Sequence, residues 1–233
     1  KEKTRLTTFE DIVIDQFLTS DGGLAREGFF LLQSEFGRDY QRYFDILTYI
    51  AAGDTRIKDI AARLKEPSNK IAVYFNRLES YFCLIEKRLP LLNPVKSEAR
   101  YYLKDTLLQF WFRYIYRRMS YIEKGASRLL WNYVREDLSN YQGAVFEGLC
   151  HSLFATAEFQ NKLSLPFSVW EYGRHWDGKE AVEVDMVAYD KPKRSLLILE
   201  CKLNPKRITR QFIHSFNKKI GLSVFKRFPS IQK

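Results

Sequence analysis

The period of the hydrophobic residues changes along this chain, and that change restricts its possible folds more than any other feature. Between residues 40 and 81 apolar side chains recur every three or four positions. Tyr43, Ile46, Leu47 and Ile50 make one stripe, Ile57, Ile60, Ala61 and Leu64 a second, and Ile71, Tyr74, Phe75, Leu78 and Tyr81 a third. Such spacing predicts three short amphipathic helices. In the last hundred residues the character turns mixed, with strand-like runs at 167–172, 181–189 and 196–203 and a turn around Pro192 between the last two. A chain of this kind is expected to fold as α+β. The apolar run at 196–199 stops after a few residues, whereas a membrane-spanning helix needs roughly 20, so a transmembrane protein is excluded.

The chain has 233 residues, 45% of them hydrophobic and 28% charged, which is enough for one large core or two modest ones. It opens on Lys1 and a charged stretch with no apolar signal region, so an intracellular protein whose natural start lies further upstream is expected. Cys83, Cys150 and Cys201 are widely spaced, with neither the even count of a disulfide framework nor zinc-ligand spacing. A reducing, cytoplasmic setting is the expectation. The net charge of +10 is unevenly distributed: from Lys202 onward there are nine Lys or Arg residues and no Asp or Glu, while residues 1–201 hold 29 basic against 28 acidic. A basic end of this kind fits a polyanion, nucleic acid before an acidic membrane surface, or a solvated helix face balanced by a partner domain.

Breakers divide the chain. Residues 1–38 carry apolar stripes interrupted at Asp21-Gly22-Gly23 and read as the last pieces of a preceding domain. Residues 39–104 hold the three helices, with Gly53-Asp54 closing the first, Lys65-Glu66-Pro67 as the turn and Ser68 as N-cap of the third; strand-like segments at 83–88 and 100–103 follow, flanking Pro90, Asn93 and Pro94. Three helices and a hairpin describe a winged helix-turn-helix. Such domains lay the third helix in the DNA major groove, which makes Ser68, Asn69, Lys70, Asn76 and Arg77 candidate contacts; others serve only to pack domains together. Residues 105–138 are aromatic and arginine-rich, from Phe110-Trp111-Phe112 to Trp131 and Tyr133. They suit helical packing between two modules, or a stacking platform.

Residues 139–233 contain the constellation with chemistry. A helix from about Tyr141 is expected to turn Val145, Phe146, Leu149 and Phe154 inward with Glu147 beside them. Alternation along a strand puts Glu183 and Asp185 on one face, and Glu200 and Lys202 on one face of the next strand. If those strands pair about Pro192, Asp185 comes within about a residue of Glu200, where cross-strand Cβ atoms lie roughly 5 Å apart. Two carboxylates beside a lysine suit Mg²⁺ or Mn²⁺, with the Cys201 carbonyl as a further oxygen ligand, and such an ion would polarise a phosphodiester. A surface ion pair is the plainer reading of the same residues. Of the histidines, His175 is near this site in sequence, while His151 and His214 are given no role.

Asp185, fourteen intervening residues and then Glu200-Cys201-Lys202 resemble the PD-(D/E)XK nuclease motif, although Val184 stands where the motif proline would be. With the winged helix upstream, the whole chain resembles the C-terminal portion of the archaeal-type P-loop ATPases, an AAA-like or STAND-like family whose C-terminal domain of unknown function is similar to this nuclease fold. The resemblance implies a mixed sheet flanked by helices, Asp185, Glu200 and Cys201 as ligands of Mg²⁺ or Mn²⁺, Lys202 as the catalytic lysine and Glu147 as an accessory acid, with Glu183 as a substitute. It implies DNA as substrate, with Lys206, Arg207 and Arg210 against the phosphates, and a P-loop ATPase domain as partner. No Gly-x-x-x-x-Gly-Lys-Ser/Thr loop occurs in these residues, so no ATP site is expected here. The expected function is metal-dependent hydrolysis of DNA; the alternative is a non-catalytic DNA-binding or regulatory module with an inactive nuclease fold.

Overall fold

The structure, a computed structural model, describes residues 8–163, 171–178, 182–190 and 195–227. The start of the strand expected at 167–172, its successor's first residue Ala181 and the turn at 191–194 lie outside them. The chain is α+β and falls into two compact units, one built from Lys1–Lys87 and Arg100–Ser139, the other from Arg88–Ala99 and Asn140–Lys233.

The first unit opens with α1 (Phe9–Phe17), started by a capping box in which Thr8 and Asp11 satisfy each other's main-chain N–H groups. It continues through α2 (Gly23–Phe36), α3 (Tyr40–Ala52), α4 (Ile57–Leu64) and α5 (Ser68–Ser80). Gly53 ends α3 in the left-handed region at φ 108°, where a β-carbon would strain the backbone. Pro67, not Ser68, occupies the N-cap of α5, so Ser68 is its first helical residue. Strands β1 (Ile85–Arg88) and β2 (Arg100–Leu103) pair in a two-stranded sheet, and Tyr101 N–H donates to the Thr55 carbonyl at 2.8 Å. Asp105 caps α6 (Thr106–Phe110), which runs on through a π-helical turn at Trp111–Ile115 and a tighter turn at Tyr116–Arg118 into α7 (Met119–Glu123). Helix α8 (Ser127–Phe154) follows Gly125 and continues into the second unit.

Phe44 forms the aromatic centre of the first unit. Its fully buried ring meets those of Phe29, Phe36, Trp111, Phe112 and Tyr116 edge-on, at 4.9 to 6.1 Å between centroids. Each such pair contributes ~0.5–1.5 kcal/mol beyond the area it buries. The aromatic segment after Asp105 is therefore core, with Trp111, Phe112, Tyr114 and Ile115 all buried, rather than a platform for bases. Trp111 Nε1–H donates to the Ala25 carbonyl at 2.9 Å, tying this segment to α2.

The second unit adds α9 (Ala157–Lys162), β3 (Glu171–Asp177), β4 (Val182–Asp190), β5 (Ser195–Leu199) and α10 (Arg210–Arg227). The strand order is β3-β4-β5 and both pairings are antiparallel. A mixed sheet requires a parallel partner, and none is present among the described residues. One side of β4 packs Met186 and Ala188 with Phe154 of α8 and Leu197 and Leu199 of β5. The other packs Val182, Val184 and Val187 with Leu91 and Leu92 of the Arg88–Ala99 segment. That segment, expected as the tip of a wing, is hydrogen-bonded to β3: Leu91 N–H donates to the Arg174 carbonyl and Trp176 Nε1–H to the Glu98 carbonyl, both at 2.9 Å.

Candidate functional site

A β-bulge sets the geometry around Asp185. Gly173 pairs with Val187 but His175 with Val184, so Arg174 of β3 stands alone opposite Asp185 and Met186 of β4. The extra residue resets the alternation, and for this reason Val187 shares a core cluster with Val182 and Val184 while Met186 does not. Asp185, one of the two residues of the bulge, is buried.

On its other edge β4 keeps regular register with β5, ending at Met186 opposite Leu199. One step further the same register sets Asp185 against Glu200. Strand β5 has stopped by then, because the Asp185 carboxylate takes over as acceptor: its Oδ2 receives the main-chain N–H of Cys201 at 2.8 Å. Glu200 and Lys202 thus lie just after the strand, not on it, yet they meet, with Lys202 Nζ donating to Glu200 Oε1 at 2.7 Å. The Lys202 ammonium also lies 5.2 Å from the ring centre of Phe212 on α10. Glu200 Oε2 is buried and has no hydrogen-bond partner among the described residues.

Helix α8 completes the surroundings. Positions three and four apart share a helix face, and Glu147, Cys150, His151 and Phe154 follow that spacing towards the sheet. Phe154 packs on Met186 and Ala188, with Cys150 beside it. The Glu147 carboxylate is ion-paired with the Arg174 guanidinium, opposite the bulge. His151 Nε2 lies 2.7 Å from the Asp185 carbonyl oxygen; a carbonyl only accepts, so the proton of this bond sits on Nε2. Leu149, expected inward, is 56% exposed because it falls off this face. Sequence reasoning passed over His151 and Cys150, although counting three and four residues from Glu147 finds both. The Cys201 thiol is pushed up to about 12, chiefly by burial, then by the nearby Cys150 thiol and by the Asp185 and Glu200 carboxylates. His175 is buried within β3.

Two carboxylates and a peptide carbonyl are hard oxygen donors, a set that suits Mg²⁺ or Mn²⁺ rather than a thiophilic ion. The buried, unpartnered Oε2 of Glu200 fits that role, since a carboxylate oxygen taken out of water calls for a proton donor or a cation. No group of three His, Cys, Asp or Glu side chains stands close enough to hold a metal among the described residues; the expected set has two such side chains and a main-chain oxygen.

The candidate DNA contacts fall into two groups. Ser68, Asn69, Lys70, Asn76 and Arg77 are all exposed on α5, together with Val73. Lys70 is ion-paired with Glu66 at 3.0 Å, and the Arg77 guanidinium, raised above its ordinary value by the Tyr43 hydroxyl, reaches that oxygen at 3.4 Å. Lys206, Arg207 and Arg210 are exposed in the second unit, on the turn Pro205–Arg207 and the first residue of α10. A cavity of about 340 Å³ in the first unit, lined by Arg26, Phe29, Phe30, Tyr116, Met119 and Glu123, includes none of these residues. No helix is long and apolar enough to cross a membrane among the described residues.

Residues 111–213, from the aromatic core segment to α10, match the DUF234 family, described as archaeal and bacterial proteins of unknown function. An uncharacterized protein of Methanocaldococcus jannaschii is 30% identical over 238 residues, covering 99% of this chain and 52% of the relative. The chain thus spans about half the length of the curated relative it matches. No solved structure matches.

Proposed function

We propose that the second unit is a divalent-cation-dependent phosphodiesterase acting on DNA, of the PD-(D/E)XK kind, and that the α3–α5 helices with β1 and β2 are a winged helix. The observation that carries this reading is the meeting of Asp185 with Glu200-Cys201-Lys202 at a β-bulge, with one Glu200 oxygen buried and unpartnered among the described residues. Asp185, Glu200 and the Cys201 carbonyl would hold the ion, which supplies Lewis-acid polarisation of a phosphodiester and a more acidic water. Lys202, 2.7 Å from Glu200, brings the positive charge that opposes the charge developing on the phosphate. The Cys201 N–H orients the Asp185 carboxylate, and His151 holds the same residue by its carbonyl. Arg174 neutralises Glu147, which leaves Asp185 and Glu200 as the residues for the ion.

Exposed Lys206, Arg207 and Arg210 supply sequence-independent attraction for the DNA backbone. Since the curated relative is about twice as long, the nuclease-like unit is proposed to act as the effector end of a larger P-loop ATPase. A second reading, a non-catalytic DNA-binding or regulatory module, is favoured by the Arg88–Ala99 segment: a wing tip hydrogen-bonded to β3 has its polar groups engaged within the protein.

The test is incubation of single-stranded, duplex and branched DNA with Mn²⁺ and the chain, beside Lys202→Ala and Glu200→Ala. Cleavage that both substitutions abolish while DNA binding persists supports the nuclease. Cleavage unchanged in Lys202→Ala refutes the assignment, and salt-sensitive binding without cleavage favours the second reading.

A further inference from the structure

We propose that the cavity of the first unit is a binding site for a small planar molecule that carries an acidic group and an amino group. The inference goes beyond the nuclease reading and does not depend on it.

Two helical faces build the cavity. Arg26, Phe29 and Phe30 recur on α2 at the three- and four-residue spacing that puts side chains on one face, and Tyr116, Met119 and Glu123 do the same across the Tyr116–Arg118 turn and α7. Two of the lining rings are held by the aromatic core, where Phe44 meets Phe29 at 5.6 Å and Tyr116 at 4.9 Å, both edge-on. Phe30 is 63% exposed, and its ring meets Phe29 edge-on at 5.6 Å. Such a lining suits a flat ring, which can pack on aromatic faces and edges and on the polarisable Met119 thioether. The volume of about 340 Å³ lies at the low end of the roughly 300–1,000 Å³ range of small-molecule sites, enough for one ring system and too small for an oligonucleotide.

The polar groups define the rest of the ligand. Arg26 on one face and Glu123 on the other are exposed, and neither side chain has an ion pair or a hydrogen bond among the described residues. By contrast, Arg42, Arg63, Arg113 and Arg117 of the same unit are each ion-paired with a carboxylate. An unpaired guanidinium offers a fork of donors to a carboxylate or a phosphate, and an unpaired carboxylate accepts from an amino group. The Tyr116 hydroxyl has no hydrogen bond among the described residues either, which leaves one more polar contact for the ligand. A ring with an acid and an amine answers all of these groups. Aromatic amino acids and nucleoside monophosphates share that chemistry.

The two methionines of the chain provide the test. Met119 lines the cavity and Met186 is buried in the second unit, so isotope labelling of the methionine methyl groups gives one magnetic resonance signal at the site and one control. Met119→Leu assigns them. L-tryptophan and adenosine monophosphate are titrated into the native chain, beside indole as a ring without charges and glycine as charges without a ring. The expected result is a saturable shift of the Met119 signal with the Met186 signal unmoved, and affinity about tenfold or more weaker in Arg26→Gln and in Glu123→Gln. Saturation by L-tryptophan alone identifies the acid as a carboxylate, and by adenosine monophosphate alone as a phosphate. No saturable shift with either probe overturns the proposal. So does unchanged affinity in either variant, binding of indole or glycine as tight as that of the full probe, or equal movement of the Met186 signal.

Discussion

Replacing Asp137 with Ala removes an acceptor that two neighbouring side chains share. Arg113 Nε donates to Asp137 Oδ2 at 2.6 Å and the Tyr114 hydroxyl donates to the same oxygen at 2.9 Å. Tyr114 is fully buried, whereas the Arg113 and Asp137 side chains are 17% and 31% exposed. Arg113 keeps its bond to the Ala51 carbonyl at 2.8 Å, so its charge is not stranded. A hydrogen bond to a charged group is worth ~1.5–3 kcal/mol, and a buried hydroxyl that loses its acceptor costs ~1–3 kcal/mol. Discounting for the solvent that reaches the carboxylate, Asp137→Ala is expected to lose ~2–4 kcal/mol. Asp137→Asn, which keeps an oxygen in place without the charge, should recover about half of that. Urea unfolding followed by tryptophan fluorescence reads both as a lower midpoint with an unchanged slope. A loss below ~1 kcal/mol, or an Asn variant as weak as Ala, would refute the reasoning. The network also has a pH signature. Burial first, and then the bond to Asp137, hold the Tyr114 hydroxyl above its ordinary range. A raised acid keeps its proton when folded, so its contribution is complete below about pH 10, the unfolded value, and drains away above it, at up to ~1.4 kcal/mol per pH unit. Tyr114→Phe should flatten that alkaline decline.

Glu200→Ala in the presence of a chelator should shift the thermal midpoint by less than the equivalent of ~1 kcal/mol, because losing the Lys202 pair is offset by removing a desolvated oxygen; a loss above ~3 kcal/mol would make Glu200 a structural residue. His151→Phe leaves the Asp185 carbonyl without the Nε2–H and should cost ~1–3 kcal/mol in urea unfolding, with His151→Gln recovering part through its amide. Replacing Lys206, Arg207 and Arg210 together by Gln should reduce the salt slope of DNA binding by up to about 3, one for each phosphate contact removed. An unchanged slope would place the DNA elsewhere.

Helices α3 to α5 were legible in the sequence because their apolar stripes are bounded by residues with one conformational use, Gly53 at positive φ and Pro67 before a first helical turn. β4 and β5 were legible as apolar runs about a turn. β3 runs on past the expected end at residue 172: Gly173-Arg174-His175-Trp176 has no alternation, and its strand character comes from pairing with β4 and from the Leu91 hydrogen bond. The bulge was not legible either, because Met186, Val187 and Ala188 form an unbroken apolar run whose division between the two faces is settled only when a partner strand supplies one residue against two. Leu149 was turned inward on apolarity alone, whereas the face of α8 is set by polar anchors: Glu147 to Arg174 and His151 to the Asp185 carbonyl. Local chemistry is written in the sequence; a register shift depends on what lies opposite.

The central claim, that Asp185 and Glu200 hold a divalent cation, is tested most directly by titrating Mn²⁺ into the chain and reading free ion by electron paramagnetic resonance, beside Asp185→Asn and Glu200→Gln. The account predicts one ion bound per chain at the Asp185 and Glu200 carboxylates, lost in both variants while their folding is retained. A chain that binds no Mn²⁺, or variants that bind it as well as the parent, would contradict it.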